Sequence, residues 1–283
     1  MREFKVKLEK SENVYGNDRE RLREKHTLQG AAPMIKAVMF DMGGTLEDLY
    51  TCDRNQTATA YALDKILKSH GIETPYGAEE LWSIVGPQID AYKKESEKTM
   101  IELKPEQIWP DYGFKGIDVD RQKLIDCSEE IAAMWEVTNF DRKLRPHVKE
   151  LLKGLKEDLG LYLAAVSNTG SLFGVFDVLK QYGIREYFDD VTLSSIVSYR
   201  KPNPYIFRIA IEQSGFRPEE CAFVGDTLSR DVVGPRKVGY GKIFKINSFL
   251  SPLKDVGHFD VAPDYEITDI YEVYEILKKE NGR

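Results

Sequence analysis

Apolar runs and amphipathic segments alternate along most of the chain. The strongest runs are short, rich in apolar and β-branched residues, and stop at a glycine or a polar residue, a pattern that favours buried parallel strands. Helically spaced apolar positions follow these runs. Such alternation predicts an α/β fold, a parallel sheet with helices on both faces. The predicted strands are 35–40, 161–166, 191–193, 221–224, 243–246 and 265–268.

The stretch 51–144 has a different pattern, with helical periodicity and no strand-like run. A first helix presents its apolar positions on one face and ends at a glycine cap. A second helix begins near Ala78, and we expect an interruption at Gly86 and Pro87 because proline removes a helical hydrogen bond. Pro105 marks the start of a short helix. We therefore predict a helical segment that divides the α/β part of the chain.

Polar residues with catalytic chemistry lie at or just after the predicted strand ends. Asp41 follows the first strand, Ser167 the second and Asp226 the fourth, while Lys201 lies in a proline-rich loop after the third. Ligands bind such sheets beyond the carboxyl ends of the strands. We therefore expect these four side chains to share one site.

Asp41 is followed closely by Gly43 and Gly44, which leave backbone N–H groups uncovered. A carboxylate in this position can act as a nucleophile toward a group whose oxygens approach those N–H groups. A turn capped by an aspartate has the same pattern, and for an isolated motif it is the commoner explanation.

The other strand-end residues suit an anionic ligand and a cation. Asp226 and Asp231 would bind a hard cation through oxygen, with Mg²⁺ the leading candidate, or one of them caps a helix. The Lys201 ammonium could neutralise a phosphoryl group and a nucleophile, although most lysines are simply exposed. Ser167 and Asn168 offer a hydroxyl and N–H groups to an anion, or they only begin a loop.

The order of these motifs resembles the haloacid dehalogenase superfamily, in the subclass with an inserted α-helical cap. The matching stretches are Phe40–Asp48, Val166–Thr169, Arg200–Pro204 and Val224–Asp231. The resemblance covers about residues 34–280. It implies a Rossmann-like α/β core over 34–50 and 145–283, a helical cap over 51–144, and a polar N-terminal extension over 1–33 outside the family region.

The resemblance also implies a role for each matching position. Asp41 would be the nucleophile that accepts a phosphoryl group as an aspartyl phosphate, and Lys201 would hold nucleophile and phosphate together. The phosphate-binding residues would be Gly43, Gly44, Thr45, Ser167, Asn168 and Lys201. The ligands of Mg²⁺ would be Asp41, the backbone carbonyl of Gly43, Asp226 and, directly or through water, Asp231.

Gly43 departs from the family pattern. Most phosphatases of the superfamily carry an aspartate two residues after the nucleophile, which protonates the leaving group and then activates water. Glycine has no side chain for this, and general acid–base help is worth ~10²–10⁴-fold in rate. Glu47, a cap residue or a water could replace it, and substrates with good leaving groups need it least.

Two other functions stay open beside a phosphatase. The phosphonate-cleaving branch has a small residue in place of the aspartate and uses a cap lysine as a Schiff base. The available cap lysines are Lys65, Lys68, Lys93, Lys94 and Lys98. A weakly active member that binds a phosphorylated ligand or a protein is the other alternative. The halide-removing branch works without magnesium, and the pair Asp226 and Asp231 argues against it.

The composition limits the classes of molecule that we expect as binding partners. The chain has 283 residues and a net charge of −7, from 40 Lys and Arg against 47 Asp and Glu, which disfavours nucleic acid and anionic membranes as partners. No run approaches the ~18 apolar residues of a membrane span, and the charged N-terminus has no apolar signal segment. Together with the resemblance, these features lead us to expect a cytoplasmic enzyme acting on a small phosphorylated substrate; nothing in the composition indicates its oligomeric state.

Overall fold

The computed structural model describes residues 33–50, 52–249, 251–257 and 260–282. Residues 1–32 of the predicted N-terminal extension lie outside these ranges. The strands of the described part are β1 Ala37–Phe40, β2 Glu47–Tyr50, β3 Asp141–Leu144, β4 Tyr162–Ser167, β5 Asp190–Leu193, β6 Cys221–Gly225, β7 Lys242–Ile246 and β8 Tyr265–Ile267. Six of them form one parallel sheet in the order β5-β4-β1-β6-β7-β8.

Helices occupy most of the connections. Their bounds are α1 Asp53–Ser69, α2 Ala78–Thr99, α3 Pro105–Ile108, α4 Arg121–Asp126, α5 Ser128–Thr138, α6 Val148–Lys153, α7 Gly174–Gln181, α8 Ser194–Val197, α9 Pro204–Ser214, α10 Val233–Val238, α11 Ser251–Lys254 and α12 Glu272–Glu280. Short π-helical turns span Trp109–Gly113, Gly154–Asp158 and Leu228–Val232. None of these helices combines the length and apolar character needed to cross a membrane.

The two faces of the sheet are buried in two separate hydrophobic clusters. Along β1, Val38 and Phe40 point to a cluster that contains residues of α6, α7 and α12, while Ala37 and Met39 point to one that contains residues of α9. Successive side chains of a strand alternate between faces, so a strand covered on both sides is apolar throughout. This arrangement confirms the predicted α/β fold.

Helix α2 runs through Pro87 without a break, so the predicted interruption at Gly86 and Pro87 is wrong. The helix buries Leu81, Val85 and Ile89 on one face. Full burial of such side chains contributes ~1.5–3 kcal/mol each, which together outweighs the ~3 kcal/mol that a proline costs in a helix interior. Tertiary packing therefore keeps the helix continuous through a residue that locally disfavours helical structure.

A second, two-stranded antiparallel sheet joins β2 to β3. The prediction of helices alone over 51–144 missed β3, whose sequence Asp-Arg-Lys-Leu has no apolar run. Leu49 of β2 pairs with Arg142 of β3, and Tyr50 pairs with Asp141. The chain therefore enters and leaves the helices α1–α5 along two adjacent strands.

The helices between β2 and β3 have a hydrophobic cluster of their own. Its fully buried members include Leu63 of α1, Val85 of α2 and Ile131 of α5. Near its surface, Asp120 caps α4 by accepting hydrogen bonds from two backbone N–H groups. We refer to residues 53–138 as the helical insertion.

Candidate active site

Three neighbouring strands bring the candidate residues to one edge of the sheet. Asp41 follows β1, Ser167 ends β4 and Asp226 follows β6, and β1 lies between β4 and β6. Lys201 comes from the loop that leads into α9, and Asp231 from the turn after β6. The structure thus places all five around the carboxyl ends of adjacent strands; the pattern predicted this for Asp41, Ser167, Lys201 and Asp226.

Lys201 forms a buried ion-pair cluster with two of these aspartates. Its Nζ lies 2.7 Å from Asp41 Oδ1 and 2.8 Å from Asp231 Oδ1, and each of the three side chains is nearly inaccessible to solvent. The second oxygen of Asp231 accepts hydrogen bonds from the backbone N–H and hydroxyl of Thr227. Asp231 therefore holds the lysine in contact with Asp41.

Asp41, Asp226 and Asp231 bring carboxylate oxygens within 4.8 Å of one another. Burial and the repulsion from Asp231 and Asp41 raise the pKa of Asp226 to about 8. One oxygen of Asp226 accepts a hydrogen bond from Ser248, whereas Oδ1 is buried with no hydrogen-bond partner in the described residues. An orphaned oxygen among crowded carboxylates is what a hard cation with oxygen ligands fits.

The glycine turn after β1 lies close against the acidic cluster. Gly44 has a φ of +86°, and a Cβ there would lie 2.3 Å from Asp226 Oδ2, so no larger residue fits. The Gly44 N–H donates to the carbonyl of Glu47 rather than pointing outward. The Thr45 hydroxyl is fully buried and has no hydrogen-bond partner among the described residues.

Ser167 and Asn168 differ in their surroundings. Both line the cavity beside Asp41. Asn168 is bound to the backbone of Lys201 at both ends of its amide, with Nδ2 donating to the carbonyl at 3.1 Å and Oδ1 accepting from the N–H at 2.8 Å. Asn168 therefore positions the lysine loop, whereas Ser167 contributes a hydroxyl side chain to the cavity wall.

The cavity beside Asp41 has a volume of about 210 Å³. Its charged lining residues are Asp41, Glu47, Lys93, Glu136, Arg142, Arg200, Lys201 and Arg230. Its apolar wall consists of Met42, Leu49, Trp135, Phe140, Val175 and Val178. The volume equals roughly seven waters at ~30 Å³ each and is below the ~300–1,000 Å³ typical of drug-sized ligands. Both the sheet edge and the helical insertion contribute to it.

A network of charges that the sequence did not suggest spans this cavity. Arg142 donates to Glu47 at 2.5 Å and to a carboxylate oxygen of Glu136 at 2.8 Å. The other carboxylate oxygens are also occupied, since Glu47 accepts from Tyr182 and Glu136 from Thr169. Burial raises the pKa of Glu47, and the Arg142 guanidinium partly offsets this.

Arg230 was also missed, although it lies inside the motif that supplied Asp226 and Asp231. Its Nε donates to the Thr227 hydroxyl at 3.2 Å, and its Nη2 lies 4.0 Å from Asp226 Oδ1. Within the ranges that the structure describes, neither terminal nitrogen of this guanidinium makes a hydrogen bond. Both are therefore available to an anion in the cavity.

All five candidate lysines belong to the described residues, and of these five Lys93 lines the cavity. Its Nζ lies 3.5 Å from the ring centroid of Trp135, a cation–π contact. Burial lowers the pKa of Lys93 to about 8, and Asp90 and Glu136 partly offset the shift. Arg54, in the first turn of the helical insertion, is exposed and pairs with Asp141.

Comparison with known proteins agrees with this architecture. The family model of haloacid dehalogenase-like hydrolases matches residues 35–239. A glyceraldehyde 3-phosphate phosphatase of Methanopyrus kandleri is 27% identical over 248 residues, which cover 87% of this chain and 98% of the relative. A phosphoglycolate phosphatase of Vibrio vulnificus is 40% identical over 96 residues, 34% of this chain and 41% of the relative.

A solved structure shows the same fold. The HAD phosphatase from Thermococcus onnurineus is 28% identical, with a TM-score of 0.56, and the match covers 86% of this chain and 98% of that one. The family model spans most of the chain, including strands β1 to β6 and the glycine turn after Asp41. The chain therefore belongs to the haloacid dehalogenase-like hydrolases, a family in which its similar relatives are named phosphatases.

Proposed function

We propose that this protein is a Mg²⁺-dependent phosphatase that acts on a small phosphorylated metabolite through an aspartyl phosphate on Asp41. The observation that carries the proposal is the contact of Asp41 with Lys201 at the edge of a cavity, beside the acidic cluster with Asp226 and Asp231. The names of the relatives support a phosphorylated substrate.

In the first step, an Asp41 oxygen attacks phosphorus while the leaving group departs. Lys201 offsets the repulsion between the anionic nucleophile and the anionic phosphoryl group. The Ser167 hydroxyl in the cavity wall donates to a phosphoryl oxygen, and Arg230 supplies two further N–H donors. In the second step, water attacks phosphorus and Asp41 is released as a carboxylate.

The residues that would hold Mg²⁺ are Asp41, Asp226 and the backbone carbonyl of Gly43, with Asp231 acting directly or through water. Bound there, the cation would neutralise the crowded carboxylates and polarise the phosphoryl group. The partnerless oxygen of Asp226 supports this assignment. Gly43 has no side chain, so no acid at the usual family position can protonate the leaving group.

The helical insertion would act as the cap that selects the substrate. Lys93, Trp135 and Glu136 of the insertion line the cavity opposite Asp41. The strands β2 and β3 are the two connections of this segment to the core, and they would be the hinges of its opening and closing. The limited volume of the cavity favours a small phosphorylated substrate.

Hydrolysis of 4-nitrophenyl phosphate and acetyl phosphate, with Mg²⁺ and with EDTA, tests the proposal. We expect turnover only with the metal. Asp41→Asn should lower kcat by at least ~10³-fold, because the amide is not a nucleophile. Asp118→Asn is the matched control on the exposed surface and should retain full activity. Full activity of Asp41→Asn would disprove the nucleophile, and no turnover of any phosphate ester would disprove the phosphatase.

Cleavage of a carbon–phosphorus bond is the second candidate, and Lys93 favours it. Its pKa of about 8 leaves a sizeable neutral fraction that can attack an aldehyde. Incubation with a phosphono-aldehyde and borohydride should then give a stable adduct on Lys93, detectable by mass spectrometry and absent in Lys93→Met. Absence of the adduct, together with turnover of phosphate esters, would exclude this function.

A further inference from the structure

A leucine side chain lies against the position of the usual acid in this site. A Cβ at Gly43 would lie 2.8 Å from Leu49 Cδ1, closer than such carbon atoms approach. Leu49 is 8% exposed and lines the cavity. Its backbone is fixed in β2 by pairing with Arg142 of β3. A side chain at position 43 would therefore require the end of the Leu49 side chain to move.

The other carboxylates of the cavity are not arranged as proton donors. Both oxygens of Glu47 accept hydrogen bonds, from Arg142 and Tyr182. Both oxygens of Glu136 are likewise occupied, by Arg142 and Thr169. Each of these carboxyl groups is engaged on both oxygens, so either one would have to break a hydrogen bond before it could serve a leaving group. Of the described carboxylates in the cavity wall, Asp41 is left, and it is the nucleophile.

Part of the cavity wall is apolar and partly aromatic. Trp135 and Phe140 pack edge to face with their centroids 5.5 Å apart, at 88° between the ring planes. Val175 and Val178 of α7, together with Leu49, also line the cavity. Such a surface binds a flat apolar group better than a hydroxylated chain, whose polar atoms would lose their hydrogen bonds to water.

From this geometry we infer that the substrate is an aryl phosphate, whose phenolic oxygen leaves without being protonated by the enzyme. The inference rests on the proposed phosphatase function. Asp41 forms a bond to phosphorus, and the bond from phosphorus to the phenolic oxygen breaks. The electron pair departs with that oxygen as a phenolate, which takes a proton from solvent. Hydrolysis of the aspartyl phosphate by water then yields inorganic phosphate.

Phenyl phosphate and benzyl phosphate form the sharpest substrate pair. They offer nearly the same apolar body, but only phenol is an acidic leaving group. We expect kcat/KM for phenyl phosphate to exceed that for benzyl phosphate by at least ~10²-fold, the lower limit of what a general acid supplies. Across substituted phenyl phosphates, the rate should rise steeply as the phenol becomes more acidic.

The double variant Gly43→Asp with Leu49→Ala tests whether the missing acid at position 43 is what limits turnover of substrates with poor leaving groups. The alanine opens the space that the new carboxyl needs, so benzyl phosphate turnover should rise by ~10²-fold or more, the range of general acid catalysis. Leu49→Ala alone is the matched control and should give no such gain. Gly43→Asp alone should gain less than the double variant, because the Leu49 side chain must move aside. Thermal melting of each variant shows whether it is folded.

Three outcomes can be told apart. Equal rates for phenyl and benzyl phosphate in the wild type would overturn the inference while leaving the phosphatase intact. If Lys93→Met then lowers the rate for benzyl phosphate alone, the Lys93 ammonium is the acid, and the inference is equally overturned. Absence of Mg²⁺-dependent turnover of 4-nitrophenyl phosphate would instead remove the proposed function itself.

Discussion

Arg142 ties the core to the helical insertion through two buried carboxylates. Its guanidinium donates to Glu47 in β2, and to the side chain and backbone carbonyl of Glu136 in α5. The side chain of Glu47 is fully inaccessible and that of Arg142 is 14% exposed. An ion pair so deeply buried adds little net stability as a pair, but it becomes costly when one partner is removed.

We therefore expect Arg142→Met to lower the free energy of unfolding by about 3–5 kcal/mol, because Glu47 is left as an unpaired buried charge. Chemical denaturation measures this change. The double variant Arg142→Met with Glu47→Gln removes both charges and should recover most of the loss. Equal stability of the single and double variants would show that Glu47 is not the source of the cost.

At the scale of elements, the continuous helix α2 is a case in which packing overrides local preference. Pro87 is exposed and lies in the interior of the helix, where it cannot donate the backbone hydrogen bond to the preceding turn. The buried face keeps the helix intact despite Pro87. The destabilisation caused by this proline therefore remains in the folded protein, and a substitution can remove it.

Pro87→Ala should raise the free energy of unfolding by about 1–3 kcal/mol, because alanine restores the donor and the helical preference. Denaturant titration checks this. Pro204→Ala is the matched control, since Pro204 is the first residue of α9, where a proline N–H would have no partner. A gain of similar size in both variants would mean that the effect comes from elsewhere than the helix interior.

The strands of the large sheet were predictable, but those of the small sheet were not. Strands covered on both faces must be apolar throughout, and β4 and β6 therefore stand out in the sequence. Strands β2 and β3 are short and mixed, with Asp141, Arg142 and Lys143 in succession. Their pairing depends on tertiary contacts between chain segments almost a hundred residues apart, which no local pattern shows.

The residues of the candidate site likewise include some that the sequence predicts and others that it does not. The positions of Asp41, Ser167 and Asp226 follow from the rule that polar residues after parallel strands converge at one edge. Leu49 and Glu136 were invisible as site residues, because a leucine in a short strand and a glutamate on a helix carry no chemical signature. Their place in the site becomes visible only in the folded structure, where both residues line the cavity.

For the whole molecule, the acidic cluster is a source of instability built into the centre of the fold. Asp41, Asp226 and Asp231 converge from the ends of β1 and β6, and Lys201 supplies one compensating charge at hydrogen-bond distance. Carboxylates crowded in a buried site repel one another. Any cation that binds the folded cluster, but not the unfolded chain, must therefore stabilise the entire protein.

This linkage gives a test of the metal site that does not depend on turnover. At Mg²⁺ concentrations near 100 times the dissociation constant, the wild type should gain about 2.7 kcal/mol, seen as a melting temperature several degrees above that in EDTA. Asp226→Asn should melt higher than the wild type in EDTA, because an amide carries neither the repulsion of a charged carboxylate nor the cost of protonating one on folding, yet gain little from Mg²⁺.

Asp118→Asn makes the same chemical change at an exposed site away from the cluster, so it should keep the full response to Mg²⁺. If Asp226→Asn also kept that response, the cation would bind elsewhere. If the wild type did not respond at all, the orphaned oxygen of Asp226 would have to be satisfied by something other than a metal ion. Either result would separate the acidic cluster from the proposed chemistry, because stability is read here in the absence of any substrate.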